Sequence, residues 1–346
     1  MVDKEFCMSS FLAFRYIIDD NKNFYENINH QIYKIIPKEK RILVKNEKDI
    51  DEVLSSQFKT VKGKKIGILL SGGMDSACLA SYMAGCDAYT FRFLQGNNQK
   101  DELKRAEYYA NKYHLKLHYV DISWNTVHNN LEELMKKKGA PVHSIEPQIL
   151  AAVTQAKNDG IELMFIGDAA DYVFGGMDGL YAKDWKFNEF IDRYTYVNPQ
   201  EVLINPVDMI DAFEKYRKGE YIDYIGFMHE YTDIESYASY SNAFKTGQMS
   251  YIDPYEILEM ASPLDIQRIR NGDSKYLIRA LFRMKYPEIP VPQKLPMPRP
   301  VDDYFRTWKG PKRPEFCKNI SIKKYSGNQK WLIYCLERFL DMNEPI

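Results

Sequence analysis

The sequence predicts an α/β protein built on a doubly wound, mostly parallel sheet with a helical C-terminal part. Three observations carry that prediction. A short apolar, β-branched run passes through a glycine turn into a helix pattern in "KKIGILLSGGMDSACLASYMAG", residues 64–85. Strand-like and helix-like stretches then alternate from residue 87 to residue 123. After Gly176 the strand signal fades, and Tyr, Asp and Glu interleave with short helical patterns.

Taken in order, "NEKDIDEVLSSQF" sets Ile50, Val53, Leu54 and Phe58 on one helical face, with Asn46 as a cap. Ile66, Ile68, Leu69 and Leu70 read as a buried parallel strand. Ala77, Leu79, Ala80 and Met83 suit the helix that follows, with Asp75 and Ser76 at its start as capping acceptors. "DAYTFRF" (87–93) and "LKLHYVDIS" (115–123) read as strands around the helical "KDELKRAEYYANKYH". Residues 163–166 form another buried strand, and the proline-rich 287–300 predicts a loop over the site. Near the end, Leu332, Cys335, Leu336, Phe339 and Leu340 are spaced as one apolar helix face, which makes Cys335 a packing residue.

Composition bounds the function. With 346 residues and 45% hydrophobic content the chain can bury a large core, and length alone suggests two domains. A formal net charge of -1 gives no electrostatic footprint for nucleic acid or an anionic membrane. No apolar run approaches membrane-spanning length, and "MVDKEFCMSSFLAFRYIIDD" lacks the basic start and cleavage site of a signal peptide, so a cytoplasmic protein is expected. Cys7, Cys78, Cys86, Cys317 and Cys335 form an odd set without metal spacing and read as reduced thiols.

The glycine turn carries chemistry. A strand, a Gly-Gly turn and a helix start make an anion site, because backbone amides approach the ligand and the helix dipole favours negative charge. The phosphate-loop pattern GxxxxGK[ST] is absent, and so is GxGxxG. An acid, Asp75, sits beside the amides instead, and an acid near phosphates points to magnesium. The plainer reading is a tight turn with a helix cap. In "LMFIGDAADYVFGG" (163–176), Asp168 and Asp171 fall at a strand's carboxyl end, where open α/β sheets place ligands, so Asp75 and Asp171 could share Mg²⁺ with phosphates. There too the alternative is that both acids cap helices.

These residues carry a family resemblance. Ser71-Gly72-Gly73-Met74-Asp75-Ser76 resembles the SGGxDS pyrophosphate loop of the N-type ATP pyrophosphatases, which include asparagine synthetase, GMP synthetase and NAD synthetase. Gly167, Asp171, Phe174, Gly175 and Gly176 resemble the asparagine-synthetase pattern SGEGxDExFGG. A third stretch, "ASPLDIQRIRNGDSKYLIRALFRMKYPEIPVPQKLPMPRP", matches the family at Lys275, Arg279 and Lys294; the alternative for each is a solvated surface cation. The resemblance implies an adenine nucleotide alpha hydrolase-like fold. It implies ATP and Mg²⁺ as cofactors, with nucleotide contacts from Leu70, Ser71, Gly72, Gly73, Asp75, Ser76, Phe91, Gly167, Lys275 and Lys294, and metal contacts from Asp75 and Asp171. Catalytic roles fall to Lys294, which would meet developing charge, and Asp168, which would manage a proton. Of the two lysines, Lys294 is expected to matter more.

"FLAFRYIIDDNKNFYENINHQIYKII" resembles the hairpin that joins the synthetase domain to a preceding glutaminase domain in full-length members: Phe14, Arg15, Tyr16, a turn at 19–23, then Phe24. The expected organisation is a remnant joint over residues 1–60 and a synthetase domain over 61–346. Position 2 is Val rather than the glutaminase cysteine, so nitrogen is expected from free ammonia, an amine, or a separate glutaminase subunit docked at the joint. Departures from the pattern limit the transfer of roles. Asp168 stands where the family has glutamate, Tyr172 where it has another acid, and Ala261 where it has arginine, which argues against aspartate as the acceptor. The expected activity is AMP-forming ligation of a carboxylate or carbonyl acceptor to a nitrogen nucleophile. Two alternatives stand beside it: ATP-dependent sulfur insertion, and a nucleotide-binding regulatory subunit without turnover.

Overall fold

The computed structural model describes residues 1–61, 63–95, 100–293 and 299–345. At its centre lies a parallel five-stranded sheet of β1 (Ile66–Leu69), β2 (Asp87–Phe93), β3 (Lys116–Ile122), β4 (Leu163–Phe165) and β5 (Ser250–Ile252). Their spatial order is β3-β2-β1-β4-β5. The chain steps outward from β1 to β3, crosses back to β4 and finishes at β5. This reversal makes β1 and β4 neighbours, with Gly67 opposite Met164 and Ile68 opposite Phe165. In open α/β sheets the crevice beyond the strand carboxyl ends lies at such a reversal, so the segments leaving β1 and β4 face one space.

Helices cover both faces, as a parallel sheet requires. They are α1 (Lys4–Phe14), α2 (Glu47–Thr60), α3 (Met74–Ala80), α4 (Lys100–Lys112), α5 (Trp124–Lys138), α6 (Glu146–Asn158), α7 (Tyr224–Thr246), α8 (Tyr276–Lys285) and α9 (Gly327–Asn343), with shorter turns between them. Residues from α2, α3, α4 and α8 share one core with Ile68, Ala88 and Phe165. Residues from α1, α5, α6, α7 and α9 share another with Tyr89, Val120, Met164 and Ile166. A third, aromatic cluster joins Phe14, Phe190, Tyr194, Phe213 and Phe227.

Asn46 caps α2 as expected, its side chain accepting from the Lys48 and Asp49 amides. Leu332, Cys335, Leu336, Phe339 and Leu340 are all buried along α9. No helix among the described residues is long and apolar enough to cross a membrane.

Three expectations are corrected. Strand structure does not end with the 163–176 motif, because Ser250–Ile252 returns to pair with β4. The stretch read as short helical patterns is the single 23-residue helix α7. Its polar side chains are buried along with its apolar ones, Thr232, Glu235, Ser236, Ser239 and Asn242 among them, so no amphipathic stripe marks it. The start of the hairpin stretch, residues 11–14, is helical instead: it ends α1, which Asp3 caps at the Phe6 amide and in which residues 7–14 are all buried.

Candidate active site

The segment leaving β1 closes on itself. The Ser71 amide donates to Ser76 Oγ at 3.0 Å, and the Gly73 amide donates to Ser71 Oγ at 3.1 Å. The helix cap is Gly73, without a side-chain bond. Asp75 and Ser76 therefore do not cap α3 as expected; they sit inside its first turn, where a side chain has passed the free amides it could cap. Gly72 is pinned under α4. Arg105 Nε donates to its carbonyl at 2.9 Å, and a Cβ there would stand 2.6 Å from the Glu102 carbonyl oxygen. Tyr255 and Tyr286 buttress α3 from below, donating to the carbonyls of Asp75 (3.0 Å) and Ala77 (2.8 Å).

Opposite this loop, Lys275 opens α8 with a left-handed backbone, φ 49° and ψ 39°. Its ammonium lies 2.7 Å from Asp75 Oδ2 and 2.7 Å from Asp171 Oδ1, with the lysine side chain only 2% exposed. Burial pulls this ammonium's pKa down, yet Asp75 and Asp171 together outweigh burial and the net shift is upward. A cation thus binds the loop after β1 to the loop after β4. Gly176 makes room for it, because a Cβ there would come 2.1 Å from Asp171 Oδ1 and 2.8 Å from Lys275 Cδ.

Asp168 is held from two sides. Its amide and that of Ala169 donate to Asp253 Oδ2 at 2.8 and 2.7 Å, so the residue just beyond β5 fixes the backbone just beyond β4. Ser236 of α7 donates to Asp168 Oδ2 at 2.6 Å. Burial raises the Asp168 carboxyl to about 7; the serine bond opposes that rise, while Asp171, Glu235 and Asp75 add to it.

Leu70, Ser71, Gly72, Gly73, Asp75, Ser76, Phe91, Gly167, Asp168, Asp171 and Lys275 all line one cleft of about 200 Å³. Lys294 lies outside the described residues; Gln293, which precedes it in sequence, lines the cleft. A larger groove of about 690 Å³ runs between the 16–22 and 30–33 segments and Tyr231, but it contains none of these residues. Sequence reasoning missed Asp253, Ser236, Tyr240 and Arg105. Helical spacing on "KDELKRAEYYANKYH" could have set Arg105 beside the turn; nothing in sequence ties the other three to the motifs.

No group of three or more His, Cys, Asp or Glu among the described residues is arranged to hold a metal ion. Asp75 Oδ2 and Asp171 Oδ1 converge from two loops on the Lys275 ammonium, and the second oxygens of the two carboxylates, completed by phosphate oxygens, are the kind of hard donor set magnesium takes. The residues fit that ion. No cysteine among the described residues lines the cleft. The Cys78 thiol is buried behind the loop, and burial pushes its pKa well up.

Fold and site define a doubly wound α/β protein with a glycine loop and an aspartate pair at the sheet's reversal point. Residues 49–308 match the asparagine synthase family, and the chain belongs to that family. A Methanocaldococcus jannaschii protein described as a glutamine-hydrolysing asparagine synthetase is 29% identical over 130 residues. That similarity covers 35% of this chain and 23% of the archaeal one, so the chain matches about a quarter of that relative's length. Among solved structures, NMN synthetase from Francisella tularensis is similar over 73% of this chain and 96% of its own, at 12% identity and a TM-score of 0.27. The U34-tRNA thiolase NcsA of Methanococcus maripaludis, solved with its [4Fe-4S] cluster, is similar over 72% and 84%, at 14% identity and a TM-score of 0.29.

Proposed function

We propose that this chain is an ATP-dependent ligase that activates a carboxylate or carbonyl oxygen as its adenylate, releases pyrophosphate, and joins the activated carbon to ammonia or an amine, which displaces AMP. The observation that carries the reading is the convergence of the Ser71–Ser76 turn, Asp75 and Asp171 on Lys275, with Asp168 beside them. Amides and hydroxyls of the turn receive phosphate oxygens, and Lys275 supplies a fixed positive charge next to them. Magnesium, held by Asp75 and Asp171, would neutralise charge on the departing pyrophosphate.

Asp168 serves the second half of the reaction. A carboxyl raised to about 7 is poised to take a proton from a nitrogen nucleophile near neutral pH, and Ser236 fixes its orientation. Lys294 remains part of this proposal as the group meeting charge on the acceptor side. Cys7 offers no nucleophile for glutamine hydrolysis: it is fully buried, and burial, with Asp3 adding to it, pushes its thiol up to about 12. The chain should therefore use ammonia and leave glutamine untouched. To test the reading, the protein is incubated with ATP, Mg²⁺ and ammonium chloride over a panel of carboxylates, and amides are sought by mass spectrometry. An amide that requires ATP supports the reading; turnover equal with glutamine and ammonia contradicts the nitrogen assignment.

A further inference from the structure

Close to Asp168 the protein holds two half-buried guanidinium groups beside one another. Arg15 ends α1 with a left-handed backbone (φ 70°), its amide bonded to the Phe11 carbonyl at 2.8 Å, which fixes where its side chain starts. One arm meets Glu235 Oε2 at 2.7 Å and the other meets His143 Nε2 at 3.0 Å. The guanidinium centre lies 3.6 Å from the centre of the Tyr196 ring, whose hydroxyl it also meets. Arg299, near the end of the proline-rich stretch, reaches the same place, 3.3 Å from His143 Nε2 and 3.1 Å from Ser144 Oγ.

This cluster is short of negative charge: Arg15 pairs with Glu235, whose second oxygen is buried without a hydrogen-bond partner 3.5 Å from His143 Nε2. Both arginines approach one imidazole nitrogen, His143 Nε2, while the other ring nitrogen accepts from the Ile145 amide at 3.4 Å. Arg15 Nε is buried without a hydrogen-bond partner. Another ion pair, Lys138 with Glu146 at 2.5 Å, is tied to the cluster by the His143 amide, which donates to Glu146 Oε1 at 2.8 Å. Counted together among the described residues, the cations Arg15, Arg299 and Lys138 outnumber the carboxylates Glu235 and Glu146 set beside them, and His143 stays neutral: burial, then Arg15 and Arg299, hold its pKa well below the usual range. Arg299 is likewise pulled down to about 10 by burial and then by Arg15. A surplus cation in a protein interior is costly unless an anion joins it.

Position relates the cluster to the cleft. Glu235, on Arg15, and Ser236, on Asp168, are consecutive residues of α7. Tyr240, one turn further on, lines the nucleotide cleft and feels Asp168, Asp171 and Arg299. We propose that Arg15 and Arg299 bind a carboxylate group of the acceptor, separate from the carbonyl that reacts. Planar guanidinium forks match carboxylate geometry in a way that a lone lysine does not. The proposal rests on the ligase reading for the word acceptor, but its binding site does not depend on turnover.

The test uses glutarate as the probe, with its neutral counterpart glutaramide and inorganic phosphate as comparators, in thermal melts of the full chain. Glutarate should raise the melting temperature by about 2 °C at tenfold excess over its dissociation constant, and glutaramide should not. Arg299→Gln should abolish that rise while leaving the unliganded melting temperature equal or higher, since it relieves repulsion with Arg15. A purely structural arginine would lower it. Arg299→Lys should keep part of the response. Equal stabilisation of wild type and Arg299→Gln by glutarate would overturn the proposal, as would an Arg299-dependent response to phosphate alone. In a parallel arm, ATP turnover giving ADP would sink the ligase reading while leaving the glutarate result to stand or fall by itself.

Discussion

Lys275 and Asp168 mark two different uses of burial. Lys275 is kept charged by two aspartates at 2.7 Å, so replacing it with Met leaves two carboxylates facing each other across the cleft. Nucleotide affinity and kcat should then both fall, the latter by roughly a hundredfold or more, as for loss of one preorganised electrostatic donor. Isothermal titration with ATP and Mg²⁺ alongside steady-state kinetics would measure both, and near wild-type values would remove Lys275 from the site. This is a larger effect than the sequence suggested, where Lys294 drew more weight. Asp168 behaves oppositely, because burial holds its carboxyl up at about 7 instead of 3.8. As a base it should give kcat a rising limb through about pH 7, and Asp168→Asn should abolish that limb. The stability sign is fixed too. The folded pKa exceeds the unfolded one, so the unfolded chain loses its proton first and this group costs stability as pH climbs from about 4 to about 7. Asp168→Asn should flatten that slope in urea titrations; an unchanged slope and pH profile would mean that Asp168 does not titrate there.

Elements succeed or fail as signals according to how many of their residues share one environment. The β1-turn-α3 unit was legible because four apolar residues and two glycines each have a single role there. The β5 strand was not: three residues, Ser250, Tyr251 and Ile252, none fully buried, give neither a run nor an alternation. Its importance is nevertheless positional, since it delivers Asp253 to the amides of Asp168 and Ala169. The α7 helix hid for the opposite reason, being buried on so many sides that its polar residues carry the network instead of facing solvent. Between elements Gly176 is a tight constraint within the site itself. In Gly176→Ala the new methyl would collide with Asp171 Oδ1 and the Asp171 Cα, the latter at 3.0 Å, and backbone cannot swing aside as a side chain can. We expect a cost of about 1–3 kcal/mol in stability with a disproportionate loss of ATP affinity. Thermal melting with and without ATP would check it, and an alanine variant with unchanged affinity would mean that Asp171 need not hold its place.

At the scale of the whole molecule, the sheet order explains why two motifs about a hundred residues apart meet. Reversal at β1 sets β4 beside it, and each motif begins where its strand stops. The fold class was readable because that rule needs only strands, turns and their sequence. The cation at the centre and the arginine pair were not, because both depend on distant parts of the chain arriving together: Lys275 beside Asp75, and Arg15 beside Arg299. A cleft built this way should break ATP between its α and β phosphates, with the turn holding what leaves. Phosphorus NMR of ATP consumed in the presence of Mg²⁺, ammonium and an accepted carboxylate tests that claim most directly. The account predicts AMP and pyrophosphate in equal amounts, both lost in Asp75→Asn. ADP and inorganic phosphate as the products would contradict it.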